Sequence, residues 1–229
     1  MTYFVSDIHG QYELFIKLLH KIRFSENDEM YVLGDIIDKG PYSVKLIRYI
    51  METPNIHCIK GNHEHMLIGE YYALMEDSPE CFDDVLRILQ RHFRDDDEKL
   101  TFEMIDWLEA LPYYIEGEDF IAVHAGVPAD ETDGTLLDPD LVMPEQLIFD
   151  RSFKDPKFAP KSKKCVIFGH TPTTYICGKP QILAYKRKGA EGKSISDFCK
   201  IHIDTDTFSA KVLGCICKER LTVTYVKGW

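Results

Sequence analysis

Five short apolar runs in this chain end in one grammar: an Asp, Asn or His beside a glycine follows each run directly or within a few residues. Thr2-Tyr3-Phe4-Val5 leads into Ser6-Asp7-Ile8-His9-Gly10, and Met30-Tyr31-Val32-Leu33 into Gly34-Asp35-Ile36-Ile37-Asp38-Lys39-Gly40. Ile56-His57-Cys58-Ile59 leads into Lys60-Gly61-Asn62-His63-Glu64, Phe120-Ile121-Ala122-Val123 into His124-Ala125-Gly126, and Cys165-Val166-Ile167-Phe168 into Gly169-His170-Thr171. Runs of this length and make-up read as buried strands. In open α/β sheets, ligands and catalytic groups gather at the carboxyl ends of strands. Turns need Gly with Asn or Asp but have no need of His, so repetition of the pattern points past turn chemistry. A carboxylate offers two lone-pair faces, so Asp35 is able to bridge two cations. The set of Asp, Asn and His suits borderline divalent metals such as manganese, iron or zinc. It is too rich in nitrogen for calcium and lacks the thiolates of a structural zinc site.

Between these runs the spacing of apolar residues turns helical. Leu14, Leu18, Leu19 and Ile22 predict a helix over Gln11 to Ile22, and Val44, Ile47 and Ile50 another over Ser43 to Met51, ended by Pro54. Met66 to Met75 reads as helix. The helical block 76–111 then breaks the strand–helix alternation, with the acidic run Asp95-Asp96-Asp97-Glu98 as a solvated connection inside it. That block is expected either to wall a substrate groove or to act as a structural cap. After Pro112 the chain becomes strand-rich, with candidates at Tyr113 to Ile115, Phe120 to Val123, Cys165 to Phe168, Gln181 to Tyr185, Lys200 to Ile203, Lys211 to Cys217 and Leu221 to Val226. The segments 128–144 and 186–196 read as loops. The pattern suggests two packed sheets with helices outside, in a single domain over 1–229.

Composition narrows the function. Of 229 residues, 45% are hydrophobic and 28% charged, ordinary for a globular chain. The net charge of -11 argues against nucleic acid as a partner, which calls for clustered Lys and Arg. It does not argue against phosphate chemistry, because a bound metal is a local positive centre. Seven cysteines, with no C-x-x-C, fit a reduced cytoplasmic protein, and Cys215 and Cys217 are expected on opposite strand faces and so not to share a metal. No apolar run is long enough to span a membrane, and the immediate entry into a strand leaves no room for a signal peptide.

The five motifs resemble, in order, the GDxHG, GDxxDRG, GNHE, HGG/HAG and GHT signatures of PPP-type metallophosphatases, small bacterial and bacteriophage members of the calcineurin-like metallophosphoesterase superfamily. They run from residue 6 to 171. The resemblance implies an αββα sandwich, two mixed β-sheets flanked by helices, with a helical insertion near 66–111. It implies two divalent or trivalent metal ions: one held by Asp7, His9 and Asp35, the other by Asp35, Asn62, His124 and His170. Two cations roughly 3.5–4 Å apart clamp a phosphoryl oxygen and a bridging hydroxide that attacks phosphorus in line. It makes His63 the general acid, oriented by Asp38. Lys39, where the family carries Arg, keeps the charge at the phosphate but loses the bidentate fork. Arg151, in a segment resembling L-x-W-x-R-x-x-F with Phe149 at the Trp position, is the second phosphate-binding candidate. His202-Ile203-Asp204-Thr205-Asp206 resembles the family's I-D-T-G, with Asp206 where Gly is usual, and is expected to shape the floor of the site.

The remaining histidines, His20, His57, His65 and His92, and Arg48 and Arg87, read as surface or structural residues. The leading expectation is a manganese-, iron- or zinc-dependent phosphatase acting on phosphoserine and phosphothreonine, with phosphotyrosine as an extension, in phosphorylated proteins or peptides. The alternative is a hydrolase of dinucleoside polyphosphates such as diadenosine tetraphosphate. That branch tends to carry Gln where this chain has His9, and it needs a base-stacking pocket, for which Tyr71, Tyr72 and Tyr113 are candidates. A non-catalytic metal-binding scaffold ranks last, because all six ligand positions and His63 are present.

Overall fold

A computed structural model of the chain describes residues 1–77, 82–93 and 97–228. Two five-stranded mixed sheets carry the architecture. In the first, β1 (Thr2–Val5), β2 (Glu29–Val32) and β3 (Ile56–Cys58) run parallel. The second is built on β4 (Tyr114–Glu116), β5 (Phe120–Val123), β6 (Cys165–Phe168), β7 (Leu183–Lys186) and β8 (Phe198–His202). Its order is β4-β5-β6-β8-β7, with β5, β6 and β8 parallel and the two edges antiparallel. The chain then returns to the first sheet through β9 (Val212–Cys217) and β10 (Val223–Lys227), both antiparallel, giving the order β10-β9-β1-β2-β3.

Period-two alternation sorts the side chains into layers. Phe4 and Leu33 from one sheet meet Phe120, Ala122, Cys165, Ile167 and Ile201 from the other in a core between the sheets. Phe4 is fully buried, stacked on Tyr31 at 5.3 Å and edge-on to Phe120 at 4.9 Å. A side chain of this kind contributes about 1.5–3 kcal/mol by burial. The alternate residues Tyr3, Val5, Met30 and Val32 face a helical layer, while Ile121, Val123, Val166 and Phe168 face the opposite outer layer. This is the αββα sandwich.

The helices are α1 (Tyr12–Ile22), α2 (Ser43–Met51), α3 (Asn62–Asp77), α4 (Phe82–Leu89), α5 (Phe102–Ala110), α6 (Pro144–Phe149) and α7 (Thr174–Cys177). α1 buries Leu14, Phe15, Leu18 and Leu19 against the first sheet and ends at Arg23 in the left-handed conformation, φ 56°. α3 begins at Asn62, four residues before the sequence periodicity starts. Its first turn is fixed by polar contacts that an apolar pattern does not register: Glu64 reaches back to accept the Gly61 N–H at 2.8 Å, as the third residue of a capping box does. α3, α4 and α5 form the expected helical insertion. Leu67, Ile68, Val85, Leu89, Met104, Ile105 and Leu108 bury into the helical layer. Of the expected acidic connection, Asp95 and Asp96 lie outside the described residues. Cys215 and Cys217 share the helix-facing side of β9, with Ile216 opposite, because residues two apart on a strand point the same way. That corrects the expected opposite placement. α6 was not expected; Pro144 occupies its first position, where a missing N–H costs nothing.

Candidate active site

All five motifs sit just beyond the carboxyl ends of parallel strands: β1, β2 and β3 in one sheet, β5 and β6 in the other. The loops there are tightly bent. Asp7, His9, Asp35, Asp38, Lys39, His170 and Asp206 all have positive φ, between 49° and 69°. Non-glycine residues in this region are uncommon, Asp and His being better tolerated than most, and such backbones cluster where function demands them. Gly34 (φ 78°) and Gly61 bring the second and third motifs into contact: a Cβ on Gly34 would meet the Gly61 Cα at 2.6 Å.

Two groups of ligand-type atoms share Asp35. The first is Asp35, His124 and His170, all buried. His124 donates Nδ1–H to the Leu33 carbonyl at 2.7 Å, which leaves Nε2 as the acceptor of the neutral ring. That Nε2 faces Asn62 Oδ1 at 3.0 Å, His170 Nδ1 at 3.2 Å and Asp35 Oδ1 at 3.4 Å. Acceptors converging this closely need a positive centre among them. Burial pulls the His124 imidazole down, yet Asp35 and Asp7 outweigh it and its pKa stands above the ordinary value. His170 is held low, at about 3, by burial and by His124. A divalent cation with nitrogen and oxygen ligands fits this donor set.

The second group is His9, Asp35 and His63. His9 donates Nδ1–H to the Ile37 carbonyl at 3.0 Å, and its Nε2 lies 3.7 Å from Asp35 Oδ2. Lys39 Nζ donates to that same Nε2 at 2.8 Å. His63 Nδ1 bonds Asp38 Oδ2 at 2.6 Å, and its Nε2 lies 3.8 Å from Asp35 Oδ2. Burial lowers the His63 imidazole, but the Asp38 hydrogen bond and the Asp35 charge raise it more, so the ring holds its proton above the usual range. Asp7 belongs to neither group. Its carboxylate accepts the Ser6 hydroxyl and the His170 backbone N–H, the latter at 3.0 Å from Oδ2.

Glu64 closes the third motif, and nothing in the sequence pattern assigns it a role. It is fully buried, and its carboxylate accepts the N–H groups of Asp35 at 2.8 Å, Ile36 at 2.9 Å and Gly61 at 2.8 Å. It thus ties the second motif to the third. The signal that marks it is an acidic residue in the first turn of a helix next to two glycine-bounded loops.

Above these groups lies a cavity of about 270 Å³ whose walls include His9, Lys39, Arg151, His170, Tyr175 and Phe208. Lys39 and Arg151, expected at the phosphate, therefore share one opening with two ligand-type histidines. The expected base-stacking residues are elsewhere: Tyr71 packs on Tyr72, which donates to Glu109, and Tyr113 packs beside His65 and Lys60. Arg48 pairs with Glu98 and Arg87 with Asp84, as surface charges do. Among the described residues no helix is long and apolar enough to cross a membrane.

Symmetrical bis(5'-nucleosyl)-tetraphosphatases from Delftia acidovorans and Buchnera aphidicola (subspecies Schizaphis graminum) match at 32% identity over 132 residues and 35% over 130. Each match covers 55% of this chain and 44% of the relative, so the chain spans less than half the length of these curated relatives. A crystal structure carrying the provisional description diadenosine tetraphosphatase superposes with a TM-score of 0.70, covering all of this chain and 93% of that one. At 17% identity that likeness shows the fold alone. The named relatives overturn the expectation of a protein phosphatase acting on phosphorylated proteins or peptides. Part of that expectation was His9, where the dinucleotide branch tends to carry Gln, and a single position does not fix the substrate. A model of the calcineurin-like phosphoesterase family matches residues 2–202, nearly the whole run of motifs and strands described above, and the chain belongs to that family.

Proposed function

We propose that this chain is a dinuclear-metal hydrolase of dinucleoside polyphosphates, of the kind named in its curated relatives. The observation that carries the reading is the joining, in one cavity, of ligand-type histidines with the cations Lys39 and Arg151. Asp35, Asn62, His124 and His170 would hold one ion; His9 and Asp35 would hold the other, joined by Asp7, which stands outside that group but whose charge acts on both of them; manganese, iron and zinc all suit these donors. Bound there, the ions supply Lewis acidity toward a phosphoryl oxygen and bring the pKa of water into the neutral range.

The chain's own residues do the rest. Lys39 and Arg151 neutralise the non-bridging oxygens of the polyphosphate. His63, with its Nδ1 tied to Asp38, presents Nε2 toward the site and gives its proton to the departing oxygen. Symmetrical cleavage of diadenosine tetraphosphate adds one water across the central P–O–P bridge: the water oxygen joins one phosphorus, the bridge oxygen leaves with the other, and two ADP result. The test is product identity by ion-exchange chromatography with manganese present. Two ADP per substrate supports the reading; AMP with ATP, or no cleavage, sinks it.

A further inference from the structure

The motifs account for the phosphate end of the site but not for two exposed aromatic residues on its rim. Tyr175, on α7, is 77% exposed, and Phe208, in the turn after β8, is 39% exposed; both line the cavity that holds Lys39 and Arg151. One exposed aromatic is unremarkable. Two on the rim of one polar, cation-lined cavity offer flat apolar faces beside a phosphate-binding floor. A nucleoside phosphate needs both. Phe208 also carries the Lys211 ammonium over its ring at 4.8 Å, which holds that ring in place from one side.

Asp206 joins these two residues. Its backbone is left-handed at φ 61°, a conformation that glycine adopts freely and other residues adopt at a cost. Its carboxylate accepts the Thr174 hydroxyl at 2.9 Å and the Ser209 N–H at 3.2 Å. Thr174 precedes Tyr175, and Ser209 follows Phe208. The attachment is reinforced next door, where the Asp204 carbonyl accepts both the N–H of Thr173, at 3.0 Å, and its hydroxyl, at 2.9 Å. A strained aspartate whose two oxygens bind the two rim segments is a clamp between them.

We propose that Tyr175 and Phe208 stack the nucleobase of the substrate, and that Asp206 is the positioning residue that sets their separation. This deepens the dinucleotide reading and rests on it for the substrate class. The base and its ribose lie at the rim, the phosphates run inward past Arg151 and Lys39, and the aromatic faces recognise a base without reading its edge.

The test is calorimetric binding of ADP and of pyrophosphate to the manganese-loaded protein. Wild type is expected to bind ADP more tightly than pyrophosphate. Tyr175→Ala and Phe208→Ala are each expected to weaken ADP by roughly tenfold, the usual scale for removing a stacking partner, with little change for pyrophosphate. Asp206→Gly keeps the backbone path, since glycine favours this φ, and removes only the clamp. It is expected to weaken ADP several-fold and to raise KM for diadenosine tetraphosphate more than it lowers kcat. Asp206→Asn keeps an acceptor oxygen and tolerates the same φ, so it is expected to restore most of the loss. Equal ADP affinity in wild type and all three loss variants, with wild type still cleaving the dinucleotide, overturns both the stacking and the clamp and leaves the substrate reading intact. Wild type that binds ADP no better than pyrophosphate overturns the stacking proposal, and if it also fails to cleave the dinucleotide the substrate reading goes with it.

Discussion

At the scale of single residues, Asp35 is the atom-level hinge of the site, since it belongs to both ligand groups and receives the convergent approach of His9, His63 and His124. Asp35→Asn is expected to abolish turnover and weaken manganese binding measured by calorimetry; two ions bound at wild-type affinity would contradict the shared role. His63→Asn is expected to slow hydrolysis of an alkyl phosphate by roughly 10²–10⁴-fold, the range for general-acid groups, and to slow an aryl phosphate far less, because its leaving group needs little protonation. Equal losses on the two esters would remove His63 from that role. Glu64, fully buried, holds four backbone amides, those of Asp35, Ile36, Ile37 and Gly61. Glu64→Ala leaves those donors unpaired, and denaturant titration is expected to show a loss of about 3 kcal/mol. The ligand-type residues were legible because each lies within a few residues of the end of a strand-like run. Glu64 was visible as a letter, but no periodicity tells that a carboxylate turns inward to amides. Tyr175 and Phe208 were not legible at all, because the rim is assembled from segments that meet only in the folded chain.

Whole elements show what sequence pattern can carry and where it stops. β1, β5, β6 and α2 occur over the spans that the apolar runs predict, since strands buried on both faces read as continuous apolar stretches. α6, which begins where the expected loop 128–144 ends, was not predicted as a helix because six residues are too few to show a helical period. The segment after α6, which bears Arg151, is pinned by an element-level device: Lys200 on β8, fully buried, donates to the carbonyls of Phe153 and Asp155, both at 2.7 Å, and lies 5.0 Å from the Tyr185 ring centre. Burial lowers its pKa from the ordinary 10.5 to about 8. The folded chain therefore releases this proton before the unfolded one does. Between those two values the unfolded state binds more protons, and stability from this group rises with pH. The stability of wild type relative to Lys200→Met is expected to increase between pH 8 and 10 in denaturant titrations; a difference independent of pH would mean that the ammonium is not desolvated as described.

For the molecule as a whole, the fold places the carboxyl ends of both sheets at one opening, so ligand groups from β1, β2, β3, β5 and β6 meet although their sequence positions span most of the chain. The acidic net charge of -11 does not oppose a polyphosphate substrate, because the cavity itself presents Lys39 and Arg151 beside the ligand set. The family and the αββα sandwich were legible from the order of the motifs. The substrate was not, because motifs that mark a metallophosphoesterase site do not specify which phosphate compound is cleaved there. The most direct test of the account is a comparison of initial rates, with manganese, on diadenosine tetraphosphate and on a phosphothreonine peptide. The account predicts a large preference for the dinucleotide, lost on chelation and restored by the metal; a preference for the peptide would contradict it.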